Sequence, residues 1–114
     1  MSRLDRIKDW EELAAAANFK VSRLAKLCCC SVRQLERYFA QTQRQSPHEW
    51  LHEVRMQRAV ELLRDKTPVK QVAYMLGYRQ PSHFMHDFKR YYGVSPRKFS
   101  NAASGVAARE NVAF

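Results

Sequence analysis

No apolar run in the sequence is longer than the five residues Leu13 to Ala17, far short of the ~20 that cross a bilayer as a helix. The first residues mix charges of both signs and lack the apolar core of a secretory signal. Cysteine is scarce and confined to one place: Cys28, Cys29 and Cys30 are adjacent, and no C-x-x-C spacing occurs. Consecutive α-carbons lie ~3.8 Å apart, below the usual disulfide range, so no disulfide framework can be drawn. Acidic residues are the minority charge, 11 against 20 basic ones, which gives a net +9 and a pI near 9.9. These scarcities argue against a membrane partner and a disulfide-stapled secreted fold. They leave a cytoplasmic chain with a polyanion as the expected partner. At 114 residues, 46% of them hydrophobic, the chain suits one domain with a modest core.

What is present is a repeat. Val21, Leu24, Ala25 and Cys28 follow the i, i+3, i+4, i+7 spacing of a helix with one buried stripe, and Val69, Val72, Ala73 and Leu76 repeat it 48 residues later. A turn follows in each copy, with Cys29 opposite Gly77, and the offset then becomes 49. Leu35 and Phe39 match Phe84 and Phe88, each an i, i+4 pair on a second helix, and "SPHEW" (46–50) matches "SPRKF" (95–99). Helix, tight turn and a second helix with one polar face make a helix-turn-helix, and the chain carries two.

Capping chemistry sets the expected boundaries. Ser31 with Gln34, and Ser46 with Glu49, have the spacing of capping boxes. Thr67-Pro68, Ser46-Pro47 and Ser95-Pro96 each place a cap residue before a proline at the first helical position. Between the units runs a longer helix, about residues 47 to 65, spanning ~28 Å at ~1.5 Å per residue. Successive major-groove faces on one side of B-DNA lie ~34 Å apart, so such a helix could set two reading heads one turn apart. The expected organisation is an N-terminal helix (about 1–17) and first unit over 1–45, a linker helix over 46–66, a second unit over 67–100 and a mobile or loosely helical tail over 101–114.

On the first reading helix, Ser31, Arg33, Gln34, Glu36 and Arg37 face away from the Leu35 and Phe39 stripe. Arg33 or Arg37 suits guanine O6 and N7, Gln34 suits adenine or a phosphate, and Glu36 suits the cytosine amino group. The outward residues of the second are Ser82, His83 and His86, with Arg79, Gln80, Lys89 and Arg90 placed, like Ser31, for phosphates.

The stretches "LAKLCCCSVRQLERYF", "SPHEWLHEVRMQRAVELL" and above all "VAYMLGYRQPSHFMHDFKRYYGVSPRKF" resemble the DNA-binding domain of AraC/XylS-type transcription regulators, over about residues 19 to 100. The resemblance implies an all-α fold of about seven helices, two helix-turn-helix subdomains joined by a rigid linker helix, and double-stranded DNA read by a monomer in two successive major grooves. It makes the positions of Arg33, Glu36 and Arg37 base readers, and it implies activation through contact with RNA polymerase. Some 20 residues precede the first unit, which is similar to the stand-alone members. The chain departs from the family pattern at His86, where arginine is common, and at Arg44, where the first unit would have a glycine that the second keeps as Gly93. Arg55 interrupts the apolar arc of Leu51, Val54, Ala59 and Leu62, where a buried guanidinium calls for an acidic partner.

Two other functional classes compete. Residues 48–52, "HEWLH", match the H-E-x-x-H signature of zinc proteases, but zinc catalysis needs a third protein ligand, and His83 and His86, the remaining histidines, belong to the other unit. Glu49 also has a use as a cap. The other class is a helical adaptor whose basic face binds an acidic protein. The expectation is no enzyme, no metal and no cofactor. The cysteines read as scaffold positions: Cys28 matches Leu76 on the buried stripe, Cys30 matches Tyr78 and packs inward, and Cys29 is the exposed turn residue, where a redox role stays open.

Overall fold

The computed structural model describes residues 3–105 of the chain. All regular structure among them is helical: a 3-10 turn over Arg3–Arg6, then α1 (Trp10–Ala16), α2 (Val21–Leu27), α3 (Val32–Thr42), α4 (Pro47–Arg64), α5 (Val69–Met75), α6 (Pro81–Tyr92) and α7 (Pro96–Gly105). Two compact units divide within α4, between Arg55 and Met56. Each contains one helix-turn-helix, α2–α3 in the first and α5–α6 in the second.

In the first unit α1 packs on α2 and α2 on α3. Its core joins Leu4, Ala14, Leu24, Ala25, Cys28, Leu35, Phe39, Leu51 and Val54, with Trp10, Tyr38 and Trp50 half-buried at its edge. In the second unit α5 packs on α6 and α6 on α7. The buried residues there include Met56, Leu63, Val72, Leu76, Phe84, Phe88 and Phe99. Both cores follow from the stripes expected for a 3.6-residue period.

The two turns share one hydrogen-bond pattern. In the first, the amides of Cys29 and Cys30 donate to the carbonyls of Lys26 and Ala25, at 3.0 Å each. In the second, the amides of Gly77 and Tyr78 donate to those of Tyr74 and Ala73. This crossed pair is the Schellman arrangement, whose central residue must take positive φ. Cys29 and Gly77 do, at 56° and 86°. Arg44, standing where a glycine was expected, likewise adopts φ 57°, against 84° at Gly93. The first unit therefore keeps the backbone that glycine favours without the glycine.

Two local expectations change. Residues 3–17 are not one helix: the 3-10 turn ends at Arg6 and α1 begins at Trp10. The break follows from long-range bonds that hold the 3-10 turn against the first helix-turn-helix, described below. Thr67 does not cap a helix that begins at Pro68. Its amide donates to the Leu62 carbonyl at 3.1 Å to close the end of α4, Pro68 takes the cap position without a side-chain bond, and α5 begins at Val69. Of the tail expected to be mobile or loosely helical, residues 101–105 are helical as the end of α7, while 106–114 lie outside the described residues.

Arg55 is half-buried, with its guanidinium 5.6 Å from the centre of the Phe19 ring, a cation–π contact that offsets part of the cost of burying charge in that arc. Among the described residues no helix is long and apolar enough to cross a membrane.

Candidate nucleic-acid interface

Ser31 caps α3 as its spacing indicated: its Oγ accepts from the Gln34 amide at 3.0 Å, and the Gln34 Oε1 accepts from the Ser31 amide at 2.8 Å. Arg33, Glu36 and Arg37 are exposed, while Leu35 and Phe39 are buried beneath them. The cap bears on Gln34, because bidentate recognition of adenine needs the amide oxygen as well as the amide nitrogen. With Oε1 held by the backbone, Gln34 keeps only its Nε2 donors, which suit a phosphate oxygen better than an adenine edge. Ser31 retains its hydroxyl proton for the same use.

Gln41 belongs with these residues, although the sequence reading omits it. It is exposed, and at i+4 from Arg37 and i+8 from Arg33 it continues their row along α3. Helical spacing alone contained that signal.

On α6, Ser82, His83, His86, Lys89 and Arg90 are exposed, and Phe84 and Phe88 are fully buried on the opposite side. Arg79 and Gln80 are exposed at the turn, with Gln80 at the N-cap and making no side-chain cap bond. Each unit thus brings together its own set of predicted contacts on the reading helix and the turn before it.

Both turns are braced onto their reading helices, by different means. In the second unit the Tyr78 hydroxyl, from the turn, donates to Asp87 of α6 at 2.8 Å. In the first, the 3-10 turn does the work: an Arg3 Nη donates to the Cys29 carbonyl, and the Tyr38 hydroxyl of α3 donates to Asp5 at 2.9 Å. Burial, reinforced by that bond, pushes the Tyr38 hydroxyl pKa up.

The cysteines separate as their positions suggest. Cys28 is buried, Cys30 half-buried and Cys29 exposed, and all three are free thiols. Burial, reinforced by the neighbouring thiols, pushes the Cys28 pKa up to about 11, the setting of an inert thiol. The "HEWLH" stretch is the capped start of α4. Glu49 Oε1 accepts from the Ser46 amide at 3.0 Å, and the Glu49 amide donates to Ser46 Oγ at 3.0 Å. Among the described residues no group of three or more His, Cys, Asp or Glu side chains is arranged to hold a metal ion.

The helix-turn-helix domain family matches residues 24–102. The chain belongs to that family. This helix-turn-helix protein is 32% identical over 88 residues to the transcriptional regulator ArgR of Pseudomonas aeruginosa, an alignment covering 76% of this chain and 27% of that one. The chain spans well under half the length of such curated relatives, 38% in the case of the transcriptional activator RhaS of Escherichia coli. Among solved structures it resembles the DNA-binding domain of AdpA, a global transcriptional factor crystallised with a target DNA. The TM-score there is 0.71 at 28% identity, covering 92% of this chain and 99% of that one. An AraC-type regulator from Chromobacterium violaceum shares the fold, with a TM-score of 0.73 at 22% identity over 90% of this chain and 96% of that one. The chain thus resembles the DNA-binding domains of AraC/XylS-type regulators: it is all-α, with two helix-turn-helix subdomains linked by a long helix. Its family supports a role in DNA binding and transcription regulation.

Proposed function

We propose that the chain binds double-stranded DNA as a monomer and regulates transcription, with α3 and α6 each entering a major groove of one promoter site. The observation that carries this reading is the repeated geometry of the two helices. Each buries an i, i+4 apolar pair and exposes a row of basic and hydrogen-bonding residues on the opposite side, in a protein of net charge +9. On α3, Arg33 and Arg37 read guanine and Glu36 reads cytosine, while Ser31 and Gln34, their oxygens already engaged in the cap, donate to phosphates. On the second unit Ser82, His83 and His86 face bases, and Arg79, Gln80, Lys89 and Arg90 hold the backbone. A contact with RNA polymerase completes the activator reading.

Selection from random duplexes tests this. The expected product is a site with two short boxes about 10 bp apart, bound one monomer per site. Arg37→Ala relaxes the preference in one box by about 1–3 kcal/mol, whereas Lys89→Ala weakens all sequences alike. Recovery of one box only, or identical behaviour of the two variants, overturns the two-headed reading. Binding with no sequence preference favours the adaptor.

A further inference from the structure

The 3-10 turn does more than close the amino end of the first unit. Leu4 is buried in the core, Asp5 accepts from Tyr38, and Arg3 is held at the Cys29 carbonyl, so the segment is strapped across the helix-turn-helix. A cleft of about 430 Å³ lies along this strap, lined by Arg3, Cys30, Gln34, Arg37, Tyr38 and Gln41 together with Leu4. Two arginines are among the residues that line it, and no acidic residue is.

We propose that this cleft seats one backbone phosphate of DNA beside the first major-groove contact, with Arg3 as its clamp. The proposal rests on the DNA reading above and extends the interface to a residue outside the helix-turn-helix. A phosphate seated here contacts Arg3 and is attracted at longer range by Arg37, whose own guanidinium points to the base edge in the reading above. Guanidinium carries five N–H donors in a fixed fork, so a bond to the Cys29 carbonyl orients Arg3 and leaves donors for a phosphate. The strap is already held at three points, so little side-chain and chain freedom is lost on binding. The Nε2 of Gln34 and the amide of Gln41 add neutral donors along the same edge of α3. Arg3 comes from a separate segment at the flank of the reading helix, not from the Arg33–Arg37–Gln41 row, so it serves affinity and register rather than base choice.

Salt-dependent binding to a selected duplex and to a random one, with the full chain, tests the seat. Arg3→Ala is expected to weaken both by the same factor, about tenfold at low salt. It should also flatten the slope of log K against log salt by about 0.9. Arg3→Lys keeps that slope, and Arg6→Ala, on the strap but outside the cleft lining, changes it by less. A single neutral methylphosphonate moved along the site should reproduce the Arg3→Ala loss at one position flanking the first box, and add nothing there when Arg3 is already alanine. Additive losses at every position, or an equal slope change in Arg6→Ala, overturn the seat while the DNA reading stands. Failure of the unaltered chain to bind any duplex overturns the DNA reading itself, and the seat with it.

Discussion

Cys29 and Gly77 hold the same place in two copies of one turn, both at positive φ, and Arg44 and Gly93 repeat the contrast after the reading helix. A non-glycine residue in that conformation is strained by roughly 1–2 kcal/mol through its Cβ. At these two matched positions the first unit carries the strain both times, in addition to Asn18 and Phe19 before α2, and it also has devices made by side chains: a full capping box at Ser31 and Gln34, and a strap that grips the turn from Arg3. The second unit uses glycine at both points, leaves the N-cap of α6 without a side-chain bond, and braces its turn internally from Tyr78 to Asp87. One motif is therefore stabilised in two ways, by added bonds in one copy and by the absence of strain in the other.

The largest test of that contrast concerns the cores. Phe84 and Leu35 are equivalent and fully buried. Phe84→Ala should cost about 4 kcal/mol and Leu35→Ala about 3 kcal/mol in denaturant unfolding followed by circular dichroism. A larger loss at Leu35 would show that the first unit depends on packing more than its extra bonds suggest.

A smaller effect separates Cys28 from its counterpart Leu76. The Cys28 thiol rises from 9.0 to about 11 in the fold, so the folded state holds the proton that the unfolded chain has released. The associated stability is complete below pH 9 and is lost, by up to about 2 kcal/mol, as the pH rises towards 11. Cys28→Val should flatten this stretch of the stability–pH curve. Cys30, whose thiol burial also pushes up from 9.0, and Tyr38 and Tyr92, which burial pushes up from 10.0, weaken the fold at high pH in both proteins, so a residual slope persists and the difference between the two curves reports Cys28.

The smallest effect falls on the turns themselves. Cys29→Gly should stabilise the chain by about 0.5–1 kcal/mol, while Gly93→Ala should cost about 1 kcal/mol. A Cβ at Gly93 meets nothing within 4 Å, so that cost is conformational alone. Opposite shifts in thermal unfolding midpoint are the expected readout. Equal shifts of one sign would refute the assignment of strain to the first turn.

Local chemistry made most of the fold readable. The apolar stripes, the caps at Ser31 and Ser46 and the match between the two turns depend on residues within a few positions of one another, where helical period and capping act. The N-terminal break was not readable, because it depends on bonds between residues 26 and 33 positions apart in the chain. Thr67 misled for a related reason: its amide was needed by the preceding helix, and pattern alone does not show which neighbour claims it. At the interface, the exposure of Arg33, Glu36, Arg37 and the α6 residues follows from the same period. Gln34 fitted both a cap and a base edge by spacing, and only atomic geometry shows that its Oε1 is engaged. Arg3 carried no sequence signal, since nothing local connects it to the turn it grips.

Trp10 makes ring contacts with Tyr38, Phe39 and Trp50, at centroid distances of 6.0, 5.3 and 6.1 Å. These are the two tryptophans of the sequence, and both belong to the first unit. Ultraviolet emission excited at the red edge, where tyrosine is dark, therefore reports on one half of the molecule without any label. It reports at the place where the strap, through Asp5 and Tyr38, meets the reading helix. Titrating DNA while watching that light follows the first head alone, and comparison with a whole-molecule signal gives the order in which the two halves engage.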